Sequence, residues 1–255
     1  MKFGIVVISI AVVLYSGLCL LLYLKQRTLL YYPTPESHTD DAELIRLEST
    51  GETLNIWQAN PGQPHAIVYF GGNGENVVST IPDLGKLFPH HTVYFVHYRG
   101  YGGSTGSPSE KGLFEDALNI YDHVRADHRG ISAIGRSLGS GVAIHLAAHR
   151  QLEKLVMVTP FDSIERLAGE ALRLFPVSLL LRDKYRSLDL APQIAIPTLI
   201  LIAEQDEVIP RASTDRLVAA FDPARVVTHV FEGAAHNTIG GDPDYLSRLR
   251  EFLND

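Results

Sequence analysis

One cysteine, Cys19, stands in 255 residues. A disulfide framework needs a pair, and a thiolate metal site needs several, so neither holds this chain together. Charge is absent from residues 3–24, a run of 22, and the N-terminal segment around it contains no Asp or Glu. Basic character is lacking in the remainder: without Lys2, Lys25 and Arg27 the body carries 19 basic against 29 acidic residues. A body that negative repels phosphate backbones at long range, and no Lys/Arg block offsets it, so a nucleic-acid partner is not expected. Internal repeats and low-complexity tracts are also missing. What is present is ordinary globular composition, 45% hydrophobic and 20% charged, and enough length for one sizeable core.

The uncharged run matches, at 1.5 Å per residue, the ~30 Å of a bilayer core. A cleaved signal peptide is the rival reading. Its apolar region is usually about 7–15 residues and ends at small residues, whereas this run continues through Leu20-Leu21-Leu22-Tyr23-Leu24 into Lys25-Gln26-Arg27. Lipidation at Cys19 is disfavoured by the bulky Leu18 before it. The expectation is a single-pass N-terminal anchor over 1–27 and a catalytic domain over 28–255. Lys2 and the terminal amine nearly balance Lys25 and Arg27, so the positive-inside rule leaves the membrane face open.

Short β-branched and aromatic runs at 66–70, 93–96, 131–134, 155–158, 198–202 and 226–231 read as buried strands. Helical segments fall between and after them, at 74–87, 112–124, 138–150, 162–174, 212–221 and 243–253. This alternation predicts an α/β fold: a mostly parallel sheet, helices on both faces, and ligands at the carboxyl ends of the strands. Segments 44–47 and 54–59 add a leading antiparallel hairpin. The longest excursion, 160–196, is either a small lid or ordinary helix-to-core packing.

Gly135-Arg136-Ser137-Leu138-Gly139 is a GxSxG elbow preceded by a strand and followed by an Ala- and Leu-rich helix. In that setting a serine hydroxyl is exposed above the sheet, and glycines admit the close backbone. A second match, Gly102-Gly103-Ser104-Thr105-Gly106, lies in a Gly/Ser/Pro-rich stretch with no helix after it and reads as a loop. Serine attacks only when a base takes its proton, and in this topology the order is Ser, acid, His. Asp206 and His236 each follow a predicted strand, and they are the chosen acid and base. Glu204, Glu207 and Asp162 are rival acids. His97 reads as structural. His145 and His149 have i, i+4 metal spacing, but Leu146 stands where an HExxH motif has Glu, so no metal is expected there. The oxyanion hole takes the N–H of Leu138 and one from Phe70-Gly71-Gly72-Asn73-Gly74, with Asn73 preferred over Gly72. GxGxxG and P-loop signatures are absent, and no cofactor is expected.

These segments together resemble the α/β-hydrolase superfamily, within it the membrane-anchored group related to protein depalmitoylases and their bacterial and fungal counterparts. Gln26-Arg27-Thr28-Leu29-Leu30-Tyr31-Tyr32-Pro33 is similar to that group's sequence after its anchor. Gly71-Gly72-Asn73-Gly74-Glu75-Asn76 resembles its oxyanion loop, Tyr98-Arg99-Gly100-Tyr101-Gly102-Gly103-Ser104 its next loop, residues 135–141 its elbow, and the surroundings of Asp206 and His236 its acid and base loops. Gly71 departs from the pattern, standing where the group commonly has the histidine of an HG pair. Members similar to these segments include esterases, thioesterases, lipases and peptidases. The leading expectation is hydrolysis of a lipid-like or small-molecule acyl ester or thioester through an acyl-enzyme. The anchor and the apolar Phe175–Leu181 stretch favour a lipid-like or membrane-proximal acyl chain over a small soluble ester. Amide hydrolysis and a catalytically silent membrane scaffold are the alternatives.

Overall fold

The computed structural model describes residues 2–254. Helix α1 (Lys2–Leu30) leads into strands β1 (Glu43–Ser49), β2 (Glu52–Ala59) and β3 (His65–Phe70). Then come α2 (Ile81–Leu87), β4 (His91–Val96), α3 (Glu110–Arg125), β5 (Gly130–Arg136), α4 (Leu138–His149) and β6 (Leu155–Val158). Three short helices follow, α5 (Ile164–Ala171), α6 (Val177–Leu180) and α7 (Ser187–Leu190), and then β7 (Thr198–Ala203), α8 (Arg211–Val218), β8 (Val226–Phe231) and α9 (Tyr245–Asn254).

The eight strands form one sheet in the order β1-β2-β4-β3-β5-β6-β7-β8. Strand β2 runs antiparallel to both of its neighbours, β1 and β4; the pairings from β4 through β8 are parallel. Parallel strands are joined by helical crossovers that cover both faces, and this is why the central strands read as continuous apolar runs. The two-residue alternation of β3 divides the core. Ala66, Val68 and Phe70 join α3 and α4 on one face, while Ile67 and Tyr69 join α2 and α9 on the other.

Two expected helices are shorter than their apolar patterns. Residues 74–87 form a turn, a 3₁₀ turn (Val77–Thr80) and then α2. Asn76 accepts the Val78 N–H and restarts the chain there, and Pro82, which has no N–H to donate, fits only the first turn of α2. Within 162–174 the helix is α5 alone. Ser163 caps its start by accepting the Arg166 N–H at 3.0 Å, and Leu172 leaves the helical region.

Helix α1 is apolar and long enough to cross a membrane, and none of its residues is buried in the protein. The chain enters the body directly after it. Tyr31 is buried, its hydroxyl 2.9 Å from that of Tyr185, and Arg27 pairs with the buried Asp183 at 2.8 Å.

His97, at the end of β4, is 1% exposed, and its Nε2 has no partner among the described residues. Burial pushes its imidazole down to about 4, against an ordinary value of about 6.5. Between those two pH values the unfolded chain binds a proton that the folded one refuses, so stability rises with pH across this window. The full contribution, on the order of 3 kcal/mol, is present above about pH 6.5 and is lost as pH falls toward 4. Thermal melts between pH 7.5 and 5 should show a falling midpoint, with a shallower fall in His97→Gln. Equal slopes in the two proteins would assign the acid lability to other groups.

Candidate active site

Strand β5 ends at Arg136 and α4 begins at Leu138, so the chain reverses within one residue. Ser137 takes that turn at φ 48° and ψ −115°, a conformation that costs a non-glycine residue roughly 1–3 kcal/mol. Neighbouring contacts hold it there: its N–H donates to the Val158 carbonyl at 2.9 Å, and its own carbonyl accepts from the Ser140 hydroxyl at 2.6 Å. The flanking glycines are required by space. A Cβ on Gly135 would meet the Gly139 backbone, and one on Gly139 would meet the carbonyl of Phe70 on β3.

The loops after β7 and β8 converge on the same edge of the sheet. They are stitched together by backbone bonds, Glu204 N–H to the Phe231 carbonyl and Gln205 N–H to the Ala234 carbonyl. Asp206 accepts the N–H groups of Val208 at 2.9 Å and Ile209 at 2.7 Å, which fixes its carboxylate. That carboxylate lies 2.8 and 3.0 Å from His236 Nδ1, and His236 Nε2 lies 3.0 Å from Ser137 Oγ. A carboxylate only accepts, so Nδ1 carries the proton and Nε2 is left as the acceptor for the serine hydroxyl. Both side chains of the acid–imidazole pair are buried, at 5% and 7% exposure. This chain of bonds can draw a proton off Ser137 and return it to a leaving group.

The rival acids are committed elsewhere. Asp162 is fully buried and held by Arg216 at 2.6 Å and by the Ser213 hydroxyl at 2.7 Å. Glu204 accepts the Gly233 N–H, and Glu207 accepts the backbone N–H of His236. Ser104 is buried, donating to the His97 carbonyl and accepting the Asn55 N–H of β2, so it pins a loop to a strand. His145 stacks between Phe114 and His149, with ring centroids 3.8 and 4.1 Å away, and burial lowers it to about 4.

Above Ser137 lies the loop that follows β3. A Cβ built on Gly72 would sit 3.7 Å from that of Ser137. The Gly72 N–H is already donated to Glu75 Oε2 at 2.7 Å. The backbone N–H of Asn73 makes no hydrogen bond among the described residues, and neither does that of Leu138. The Asn73 side chain is not available to a substrate. Its Nδ2 donates to the Leu30 carbonyl at 2.6 Å, and its Oδ1 accepts from the Tyr32 N–H and the Tyr101 hydroxyl.

Gly71, in the place of the histidine of an HG pair, leaves no room for a side chain, since Val77 would lie 2.6 Å from its Cβ. Other groups order the loop instead. Tyr98 donates to the Gly71 carbonyl at 2.7 Å, and burial holds its phenol well above the ordinary value, so it remains a donor. Glu75 accepts from the Gly72 N–H, the Tyr69 hydroxyl and Arg136 Nη1. Arg136 reaches on to Asn237 Oδ1 at 3.0 Å and thus bridges the loop above the serine to the loop carrying His236. Sequence reading missed the Arg136–Glu75 pair. Its members are 61 positions apart, and the only local signal is their placement inside two motifs.

Residues 104–243 match the model of the dienelactone hydrolase family. Protein Rv2307c of Mycobacterium tuberculosis is 28% identical over 98% of this chain and 94% of its own. Lysophosphatidylserine lipase ABHD12 of Gallus gallus is 30% identical, over 88% of this chain and 69% of its own. Among solved structures, the Pyrococcus furiosus esterase Pf2001 superposes with a TM-score of 0.69 at 16% identity, over 88% of this chain and 97% of that one. The last similarity speaks for the fold.

Proposed function

This chain belongs to the dienelactone hydrolase family within the α/β-hydrolase superfamily, and on that premise we propose that it is a serine hydrolase of carboxylic esters or thioesters. The observation that carries the reading is the continuous bond path from Asp206 through His236 to Ser137, with the serine on a strained turn. Ser137 Oγ attacks the acyl carbonyl while His236 Nε2 takes its proton, and Asp206 holds the imidazole tautomer. Charge developing on the carbonyl oxygen is met by the backbone N–H groups of Leu138 and Asn73. His236 gives its proton to the departing alkoxide or thiolate. Water, deprotonated by the same imidazole, then attacks the acyl-serine; the bond to Ser137 Oγ breaks, Oγ takes the proton back from His236, and the acid leaves.

The same atoms can open an amide. The similarity to a lysophosphatidylserine lipase favours the ester class. Helix α1 serves in this reading as the membrane anchor, which places the hydrolase beside acyl lipids and acylated membrane proteins.

The test is covalent labelling of the full chain in detergent with a fluorophosphonate, which reacts only with an activated serine. Wild type and Ser104→Ala should label, and Ser137→Ala should not. A folded wild-type protein that fails to label would overturn the serine-hydrolase reading and leave a silent membrane protein of hydrolase fold.

A further inference from the structure

The segment between β6 and β7 does not fold back over the sheet alone; it runs alongside α1. At one end Gln26 Oε1 accepts the Arg182 N–H at 2.7 Å and Arg27 holds Asp183. Further along, the Arg182 guanidinium lies 4.2 Å from the centre of the Tyr23 ring and bonds its hydroxyl. Further still, Tyr15 stacks on Phe175 with centroids 5.8 Å apart, and its hydroxyl donates to the Leu174 carbonyl at 2.8 Å.

Tyr15 lies within the uncharged run, nine residues before its end at Leu24. That spacing is about 13 Å along a helix, nearly half of the ~30 Å hydrocarbon core. With α1 across a bilayer, the tip of this segment lies at the same depth. Its chemistry suits that depth: Leu174 is 84% and Leu179 82% exposed, side chains that bury nothing in the protein. Arg182 and Tyr23, with Lys25 and Arg27, stand at the level where cationic and aromatic side chains meet headgroups. Between α1 and the segment runs an apolar groove whose walls include Leu22, Leu29, Leu30, Ala168, Phe175 and Leu181. The carbonyl of Leu30, one of the groove's lining residues, accepts a hydrogen bond from the Asn73 side-chain amide of the loop above Ser137.

We propose that the edge formed by residues 172–181 is immersed in the lipid leaflet beside α1, and that the groove between them receives the acyl chain of a membrane-resident ester or thioester sideways from the bilayer. The proposal rests on the serine-hydrolase reading for its chemistry and on the packing of α1 for its geometry. The chain slides between two apolar walls without crossing water, and its carbonyl end is led toward Ser137 along Leu30.

Depth and chain selectivity are measured separately, on the full-length protein in phosphatidylcholine nanodiscs. Nitroxides at Leu174→Cys and Leu179→Cys, in a Cys19→Ser background, should relax with dissolved oxygen and be shielded from a water-soluble nickel chelate. A label at Val227→Cys, on the exposed face of β8, should respond in the opposite sense. Nickel access at 174 and 179 equal to that at 227 would overturn the immersion. Ala168→Trp, which fills the groove, should lower the ratio of kcat/KM for p-nitrophenyl dodecanoate over p-nitrophenyl acetate about tenfold, the loss expected when about two methylenes leave an apolar wall. An unchanged ratio would overturn the groove as the acyl site. Wild-type protein inert toward the acetate ester would defeat the hydrolase reading and the acyl groove with it, while the label depths would still decide the membrane contact.

Discussion

Asp206→Asn is expected to lower kcat toward a p-nitrophenyl ester by about 10⁴ with little change in fold. The reasoning is electrostatic and geometric together. Asp206 Oδ1 already accepts the Val208 and Ile209 N–H groups, so the amide oxygen of an asparagine stays on that side and its NH₂ faces His236. A donor opposite Nδ1 drives the imidazole proton to Nε2, where it confronts the Ser137 hydroxyl and cannot accept from it. The buried imidazolium of the transition state also loses its counter-charge. Steady-state kinetics across pH 6–9 check this, and a loss of less than tenfold would place the orienting acid elsewhere. Asp162→Asn is the informative partner: Asp162 is bound to Arg216 and Ser213, so its change falls on thermal stability.

Gly139→Ala should be the most damaging one-carbon change in the molecule. A methyl there collides with the Phe70 carbonyl and lies 2.7 Å from that of Gly71. Both obstacles are backbone: Phe70 is in register with Val96 on one side and Gly135 on the other, so neither strand end nor helix start can yield alone. The expected destabilisation is about 3–5 kcal/mol, or roughly 10 °C in melting midpoint for a body of this size. Gly141→Ala gives the comparison. Its methyl would lie 3.0 Å from ring atoms of Phe161 and Tyr185, side chains that can shift. Circular-dichroism melts of the two variants settle the ranking, and near-wild-type melting of Gly139→Ala would show the elbow to be far more compliant than its contacts imply.

The parallel strands were legible because a strand covered on both faces is mostly apolar, and β6, all Leu, Val and Met, and β7, apolar after Thr198, are written that way. The meeting of Ser137, Asp206 and His236 at one edge was legible because each follows a strand of the parallel sheet, and parallel strands deliver their carboxyl ends to one edge. Elements decided by single residues were not readable from periodicity: Asn76 caps the 3₁₀ turn that precedes α2, and Ser163 caps α5. The use of Asn73 was half legible. Its place in the loop pointed to a donor above the serine, but its side chain is taken by Leu30, Tyr32 and Tyr101. Ion pairs such as Arg136–Glu75 leave no periodic mark, since only the finished fold brings them together.

The passage from α1 into the body has no slack. The helix ends at Leu30, Tyr31 is already buried, and the next N–H, that of Tyr32, is bound by Asn73 and Tyr101. A body joined by a loose tether would swing and sample carbonyls at many heights above the bilayer. Here, with α1 across a membrane, the height of Ser137 is a constant of the molecule. On the proposed serine-hydrolase reading the protein becomes a gauge: an ester whose carbonyl rides at that height meets the hydroxyl, and one that rides deeper or shallower must first be lifted or bent.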